Sequence, residues 1–161
     1  MINLILAVDD NGCIWKNNSL CWNEKEDLKF FSEKTKWNVV IMWKNTYLSL
    51  PEKFRPLPDR KNIVVSRTLK DDKVEIVNDL ESAIKLAKTY DKEIFVIGWK
   101  SMYELWINIA DRVYLTRVIW TYDCDICLSS WFFIKLLDNF KLENIVKKEN
   151  LEFREYIILK K

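Results

Sequence analysis

The chain contains no histidine. That removes Ser-His-Asp and Cys-His nucleophiles, His-ligated zinc catalysis and His general bases. Chemistry has to come from carboxylates, Lys, Cys or Tyr, or from a bound cofactor. Asp27 is the carboxylate that stands out. From Glu24 to Thr35 the pattern is that of an amphipathic helix with acidic residues in its first turn. Leu28 and Phe31 share its apolar face, and Asp27 lies four residues before Phe31 on that face, while Lys25, Lys29, Glu33 and Lys34 are left to water. A carboxylate on an apolar face is costly unless it is hydrogen-bonded. Spacing alone leaves two readings open. Asp27 is either a helix-end acid that caps or stays solvated, or a single acid in an apolar pocket, its pKa raised, facing a ligand with paired N–H donors.

Three further segments could bind anions. Met42-Trp43-Lys44-Asn45-Thr46 joins a strand to a helix N-terminus, with Lys44 and Thr46 at hand. Ser66-Arg67-Thr68 follows a strand and adds a second cation, and Ile97-Gly98-Trp99-Lys100-Ser101 is another strand-to-helix corner. A cation in one loop is usually a solvated surface residue; the three segments together have the donors of a cradle for a phosphorylated dinucleotide.

The elements that must position these groups alternate along the chain. Residues 2–8 are a nearly continuous apolar run ended by the turn signal Asp9-Asp10-Asn11-Gly12. Val39–Met42, Asn62–Ser66 and Glu93–Gly98 are strands, Val74–Val77 alternates like an edge strand, and Asp79 caps a helix running to Lys88. Short helices are expected over Asn45–Leu50 and Ser101–Trp106, with an irregular loop from Pro51 to Pro58. Residues 111–118 and the tail 153–159 alternate, the tail pairing with residues 142–148. The expected fold is α/β: one domain over 1–161 with a central, mostly parallel twisted sheet of about eight strands, flanking helices and an antiparallel C-terminal hairpin. Ligands of such sheets sit beyond the carboxyl ends of the strands, where the three anion-binding segments fall.

A net charge of +2 is too small to argue for a nucleic-acid or membrane partner. The N-terminal apolar run lacks a basic leader and a small-residue cleavage site, and no apolar run is long enough to span a bilayer, so a cytoplasmic protein is expected. Cys124-x-x-Cys127 without a second nearby pair is weak support for a metal; no metal is expected, and the four cysteines read as free thiols. Two counts are unusual. There are two glycines, where average usage gives roughly eleven. There are also eight tryptophans, and the two counts sum to an ordinary total for both types.

The chain resembles dihydrofolate reductase from Met1 to about Thr116. The matching pieces are Ala7-Val8-Asp9, Leu20-Cys21-Trp22-Asn23, Asp27-Leu28-Lys29-Phe30-Phe31, Val40 to Thr46, Pro56 to Asn62, Val96-Ile97-Gly98-Trp99 with Tyr103, and Tyr114-Leu115-Thr116. The resemblance implies reduction of 7,8-dihydrofolate to tetrahydrofolate by hydride transfer from NADPH, feeding one-carbon and thymidylate metabolism. It implies that Asp27 accepts two hydrogen bonds from the pterin, with Thr116 in support and proton delivery near Trp22. Ile5, Leu28, Phe31, Leu57 and Ile97 would wall the substrate, and Arg60 would pair with the α-carboxylate of its glutamate tail. Lys44, Ser66 and Arg67 would meet the cofactor 2′-phosphate. Ala7, Ile14, Leu20, Trp43, Asn45, Thr46, Ile97, Gly98, Trp99, Lys100, Ser101 and Tyr103 would complete its site, and Asn17 to Leu20 match a mobile loop over the nicotinamide. Antifolates such as methotrexate or trimethoprim are implied inhibitors, and a monomer is expected.

The departures from the family pattern are specific. Trp15, Trp37, Trp43 and Trp99 stand where the family has glycine, and a family cis Gly-Gly pair reads Gly98-Trp99 here. Cys21 replaces a proline. Either the tryptophans are real and cofactor binding is weakened, leaving a degenerate folate- or nucleotide-binding relative, or they are glycines in an organism that reads UGA as glycine. The related riboflavin-pathway reductase is the nearest enzyme alternative; Asp27, Trp22 and the Leu57 to Arg60 segment argue against it.

Overall fold

The computed structural model describes residues 1–17 and 19–159. In chain order these form β1 (Ile2–Val8), β2 (Cys13–Lys16), β3 (Ser19–Leu20), α1 (Lys25–Thr35), β4 (Val39–Trp43), α2 (Lys44–Ser49), β5 (Lys61–Val65), β6 (Glu75–Val77) and α3 (Leu80–Lys88). They continue with β7 (Ile94–Ile97), α4 (Lys100–Trp106), β8 (Arg112–Val118), β9 (Ile126–Cys127), α5 (Ser130–Asn139), β10 (Phe140–Lys148) and β11 (Leu151–Ile158).

Eight strands make one sheet in the order β10-β11-β8-β1-β7-β4-β5-β6. β1 runs parallel to both β7 and β8, and β4 to both β7 and β5. β11 is antiparallel to β8 and β10, which makes the expected C-terminal hairpin, with a bulge between Leu142 and Asn144. The expected edge strand is β6, at the sheet margin.

β1 reads as an apolar run broken only by Asn3 because it is covered on both faces. Its residues still alternate. Leu4, Leu6 and Val8 join a core with α3, α4 and α5, whereas Ile5 packs on the other face with Val40, Met42, Tyr47, Phe95 and Ile97, against Phe30 and Phe31 of α1. That second face carries the site. Asp79 caps α3 as expected, its Oδ1 accepting the Ser82 N–H at 2.8 Å.

Two features were not expected. Helix α5 falls in a stretch that is apolar nearly all round: Phe132 and Leu136 are buried, but Trp131, Ile134 and Leu137 are exposed and blur the helical period. A second, three-stranded sheet, β3-β2-β9, brings the hairpin after β1 against residues 126–127. This pairing overturns the free-thiol expectation. Cys13 bonds to Cys127 and Cys21 to Cys124. The partners lie more than a hundred residues apart, so spacing could not show them.

Candidate active site

A pocket of about 170 Å³ opens on the α1 face of the sheet. β1 contributes Ile5 and Ala7, β8 contributes Thr116, and the end of β7 contributes Ile97 and Gly98. The register fixes these walls, since Ala7 pairs with Thr116 and Ile5 with Ile97. Ile14, Trp15 and Leu20 cover it from the β2–β3 hairpin, while Asp27, Leu28, Phe30 and Phe31 face it from α1. Asp27 is the single carboxylate in this lining.

Asp27 is no cap. The helix begins from an extended Glu24 without a side-chain cap, which puts Asp27 three residues past the cap position, and it is buried. Burial pushes its carboxyl above the usual carboxylate range; the side chains of Thr116 and Trp22, both able to donate to it, pull the other way. Trp22 is buried, and its indole N–H has no direct hydrogen-bond partner among the described residues, so it stands as an available donor beside the acid. Tyr103 is also buried in the wall. Its hydroxyl accepts the Gly98 N–H and donates to the Ile5 carbonyl at 3.0 Å, which ties the Gly98 corner to β1.

Arg60 lies outside the pocket lining but is held toward α1. Its Nε–H donates to Thr35 Oγ1 at 2.8 Å, Nη1 to the Pro58 carbonyl at 2.7 Å, and Nη2 to Ser32 Oγ at 3.1 Å. No carboxylate lies within ion-pair distance of it among the described residues. Asn62 fixes the loop that carries it. Asn62 Oδ1 accepts the Leu57 N–H at 2.9 Å, and its Nδ2 donates to the Leu57 and Arg60 carbonyls. Leu57 is buried in the core that backs the pocket rather than in the pocket itself.

A second cavity, about 320 Å³, lies at the carboxyl ends of β4, β5 and β7 and brings the three anion-binding segments together: Trp43, Lys44, Asn45, Val65, Ser66, Trp99 and Ser101 line it. Lys44 Nζ donates to Thr68 Oγ1 at 2.9 Å, and Ser66 Oγ accepts the Thr68 and Leu69 N–H groups, so that loop is shaped around its polar side chains. Arg67 is exposed beside it, and Lys100 turns to Glu104, 4.0 Å away. Gly98 lines the first cavity and its neighbour Trp99 the second. The Gly98 φ is +78°, and a Cβ there would meet Thr46 Cγ2 at 2.3 Å. Thr46 Oγ1 is buried without a partner among the described residues.

The tryptophans at this end are poorly accommodated. Trp99 has φ 66° and ψ 135°, and Trp37 has φ 67°, backbone conformations suited to glycine. The indole N–H groups of Trp15 and Trp43 are buried and unpartnered among the described residues. Trp15 and Trp99 pack against each other, ring centroids 6.1 Å apart. The Gly98–Trp99 peptide is trans, unlike the family pair it replaces.

A dihydrofolate reductase family model matches residues 1–156. The chain is 34% identical to dihydrofolate reductase of Drosophila melanogaster, covering 99% of this chain and 97% of the relative. It is 38% identical to that of Ureaplasma parvum, over 78% and 80% of the two chains. It is 40% identical to dihydrofolate reductase type 9 of Escherichia coli, over 73% and 70%. The chain belongs to the dihydrofolate reductase family.

The dihydrofolate reductase motifs thus converge on two adjoining cavities. Ile5, Asp27, Leu28, Phe31, Ile97 and Thr116 meet in the first, together with Ala7, Ile14, Leu20, Thr46, Gly98 and Tyr103. Trp43, Lys44, Asn45, Ser66, Trp99 and Ser101 meet in the second. Trp22, Leu57, Arg60, Arg67 and Lys100 line neither, and Asn18 of the mobile-loop match lies outside the described residues. The residues that sequence reasoning passed over are the supports: Thr35, Ser32 and Asn62, which hold Arg60. Their hydroxyl and amide groups carry no signal in the sequence, because their roles depend on which loop lies beside α1.

Proposed function

We propose that this chain reduces 7,8-dihydrofolate to 5,6,7,8-tetrahydrofolate with NADPH, feeding one-carbon and thymidylate metabolism, in the cytoplasm and as a monomer. The observation that carries the reading is Asp27, a buried carboxylate alone in an apolar pocket. An acid so placed is costly until a ligand with paired N–H donors satisfies both oxygens. The 2-amino group and adjacent ring N–H of a pterin do so, and Ile5, Leu28, Phe31 and Ile97 enclose its ring. Thr116 keeps Asp27 oriented. Held this way, the pterin N5 becomes more basic, and its proton arrives through solvent at the Trp22 side of the acid. Arg60 retains N–H donors beyond the three in use, which fits pairing with the glutamate α-carboxylate.

The donors of the second cavity fit a phosphorylated dinucleotide. Lys44, Ser66 and Arg67 would hold a 2′-phosphate, and the buried Thr46 hydroxyl offers a donor at the corner where Gly98 lets the backbone approach closely. NADPH supplies the hydride that adds to pterin C6 when it is bound. The indoles of Trp43 and Trp99 do not fit there, since both line the space the diphosphate needs. In this reading positions 15, 37, 43 and 99 are glycines in the living cell, written as tryptophan by a translation that reads UGA as Trp. The left-handed backbone at Trp37 and Trp99 supports it.

Methotrexate titration with a dihydrofolate turnover assay tests the proposal. Tight binding and NADPH oxidation support it; binding without turnover reduces the protein to a folate-site binder, and no binding overturns the folate reading. Intact mass of the native protein tests the glycines.

A further inference from the structure

The two disulfides have no part in the chemistry above, yet both end on one structural unit. The β2–β3 hairpin covers the pocket through Ile14, Trp15 and Leu20. Cys13 opens it and Cys21 follows directly after it. Their partners, Cys127 and Cys124, lie three residues apart on a single segment. The cover is therefore stitched at both ends to one anchor.

Apart from the cross-links the anchor is slight. β3 and β9 are two residues each, and beyond their ladder the backbone bonds are Asp125 N–H to the Trp15 carbonyl at 3.2 Å and Leu128 N–H to the Gly12 carbonyl at 2.9 Å. Lys16 pairs with Asp123 at an exposed position. Such a small sheet opens easily unless covalently held. The Cys21–Cys124 bond spans Cα atoms 5.9 Å apart. Both cysteines are half-buried, open to attack in a way that the buried Cys13 is not. They pack beside Trp22 and Tyr122, whose rings lie 5.6 Å apart, and Trp22 is among the side chains that act on the Asp27 carboxyl.

We infer that Cys21 and Cys124 form a reversible thiol–disulfide site that locks the β2–β3 hairpin over the ligand pocket. The co-substrate is a small-molecule disulfide. The Cys21 thiolate attacks one of its sulfurs and expels a thiolate; Cys124 then attacks the mixed disulfide at Cys21 and expels the second. The protein loses two electrons, the two thiol protons pass to the released thiolates, and the small disulfide becomes two thiols. Reduction by excess thiol runs the same steps in reverse. In a reducing cytoplasm a disulfide that forms and breaks is a sensor rather than a staple. The locked form admits and releases ligand slowly; in the reduced form the Cys13 end stays tied to Cys127, and the Cys21 end swings free by breaking a few hydrogen bonds.

The inference concerns the cover of the proposed folate site, so its test has one arm that needs no folate. The protein is equilibrated with oxidised or reduced glutathione, the bonds are mapped by peptide mass spectrometry, and amide exchange of the hairpin is followed. Methotrexate association and dissociation are timed by tryptophan fluorescence in both states. Oxidation should form the Cys21–Cys124 bond, slow hairpin exchange and slow both methotrexate rates several-fold. Cys21→Ser and Cys124→Ser should each abolish the response and hold the reduced-form rates. Identical hairpin exchange in the two states, or Cys21 left unbonded to Cys124 after oxidation, overturns the switch. Failure of methotrexate to bind either form overturns the folate reading instead, and amide exchange then decides the switch alone.

Discussion

Arg60 donates its Nε–H to the Thr35 hydroxyl at 2.8 Å, and that hydroxyl donates in turn to the Phe31 carbonyl at 2.8 Å. One buried threonine therefore aims the guanidinium along the helix that carries Asp27. Burial also holds the Arg60 pKa below its ordinary value, and a guanidinium keeps its charge at neutral pH all the same.

Arg60→Lys loses the planar fork and should raise the dihydrofolate KM by about tenfold or more, the cost of one charge-assisted hydrogen bond of roughly 1.5–3 kcal/mol, with kcat little changed. Thr35→Val should move KM in the same direction by a smaller factor. A substrate analogue lacking the glutamate tail separates the two roles: neither variant should alter its KM.

Asp27→Asn should lower kcat by about 10²-fold or more at neutral pH, because an amide cannot accept from two donors while carrying the charge that makes N5 basic. The same substitution should stabilise the ligand-free protein. Asp27 has a folded-state pKa above its unfolded value, so its contribution is fully present below the unfolded pKa and is lost as pH rises through the folded one. The variant should gain in thermal unfolding at neutral pH and show no gain in acid, where Asp27 is protonated.

Ligand affinity has the opposite pH dependence. The pterin needs the carboxylate as an acceptor, so methotrexate or dihydrofolate binding should weaken as pH falls through the Asp27 pKa, beginning at a higher pH than for a solvated aspartate. Isothermal titration across acid pH should show this limb in the native protein and a flattened profile in Asp27→Asn.

Lys44→Ala and Arg67→Ala should each raise the KM for NADPH and leave that for NADH nearly unchanged, since both cations would act on the 2′-phosphate. Steady-state kinetics with the two cofactors gives the ratio directly. Equal losses with both would remove these residues from phosphate recognition.

In protein carrying tryptophan at positions 15, 37, 43 and 99, Trp37→Gly should stabilise by about 1 kcal/mol, or roughly 2–4 °C in Tm, because it relieves a left-handed backbone. The indole is 62% exposed and gives up little on removal. Trp43→Gly and Trp99→Gly should instead be read in the NADPH KM, which falls if the indoles occupy the cofactor's space.

The amino-acid sequence alone determined the strands of the main sheet, most helices and the ligand-facing ends of that sheet. Each rests on a local signal: the apolar run of β1, the Asp79 cap, and the strand-to-helix corners at Lys44, Ser66 and Ser101. It also marked Asp27 and, through the missing glycines, the misfit at Trp37 and Trp99. Only the tertiary structure decided whether Asp27 was a cap or a buried acid, because that depends on β8 bringing Thr116 beside it. The same holds for Thr35 and Asn62 behind Arg60 and for α5, whose apolar residues face both the core and water. It holds most of all for the cysteines. Their pairing follows from β2 meeting β9 across more than a hundred residues, a contact that sequence spacing does not encode.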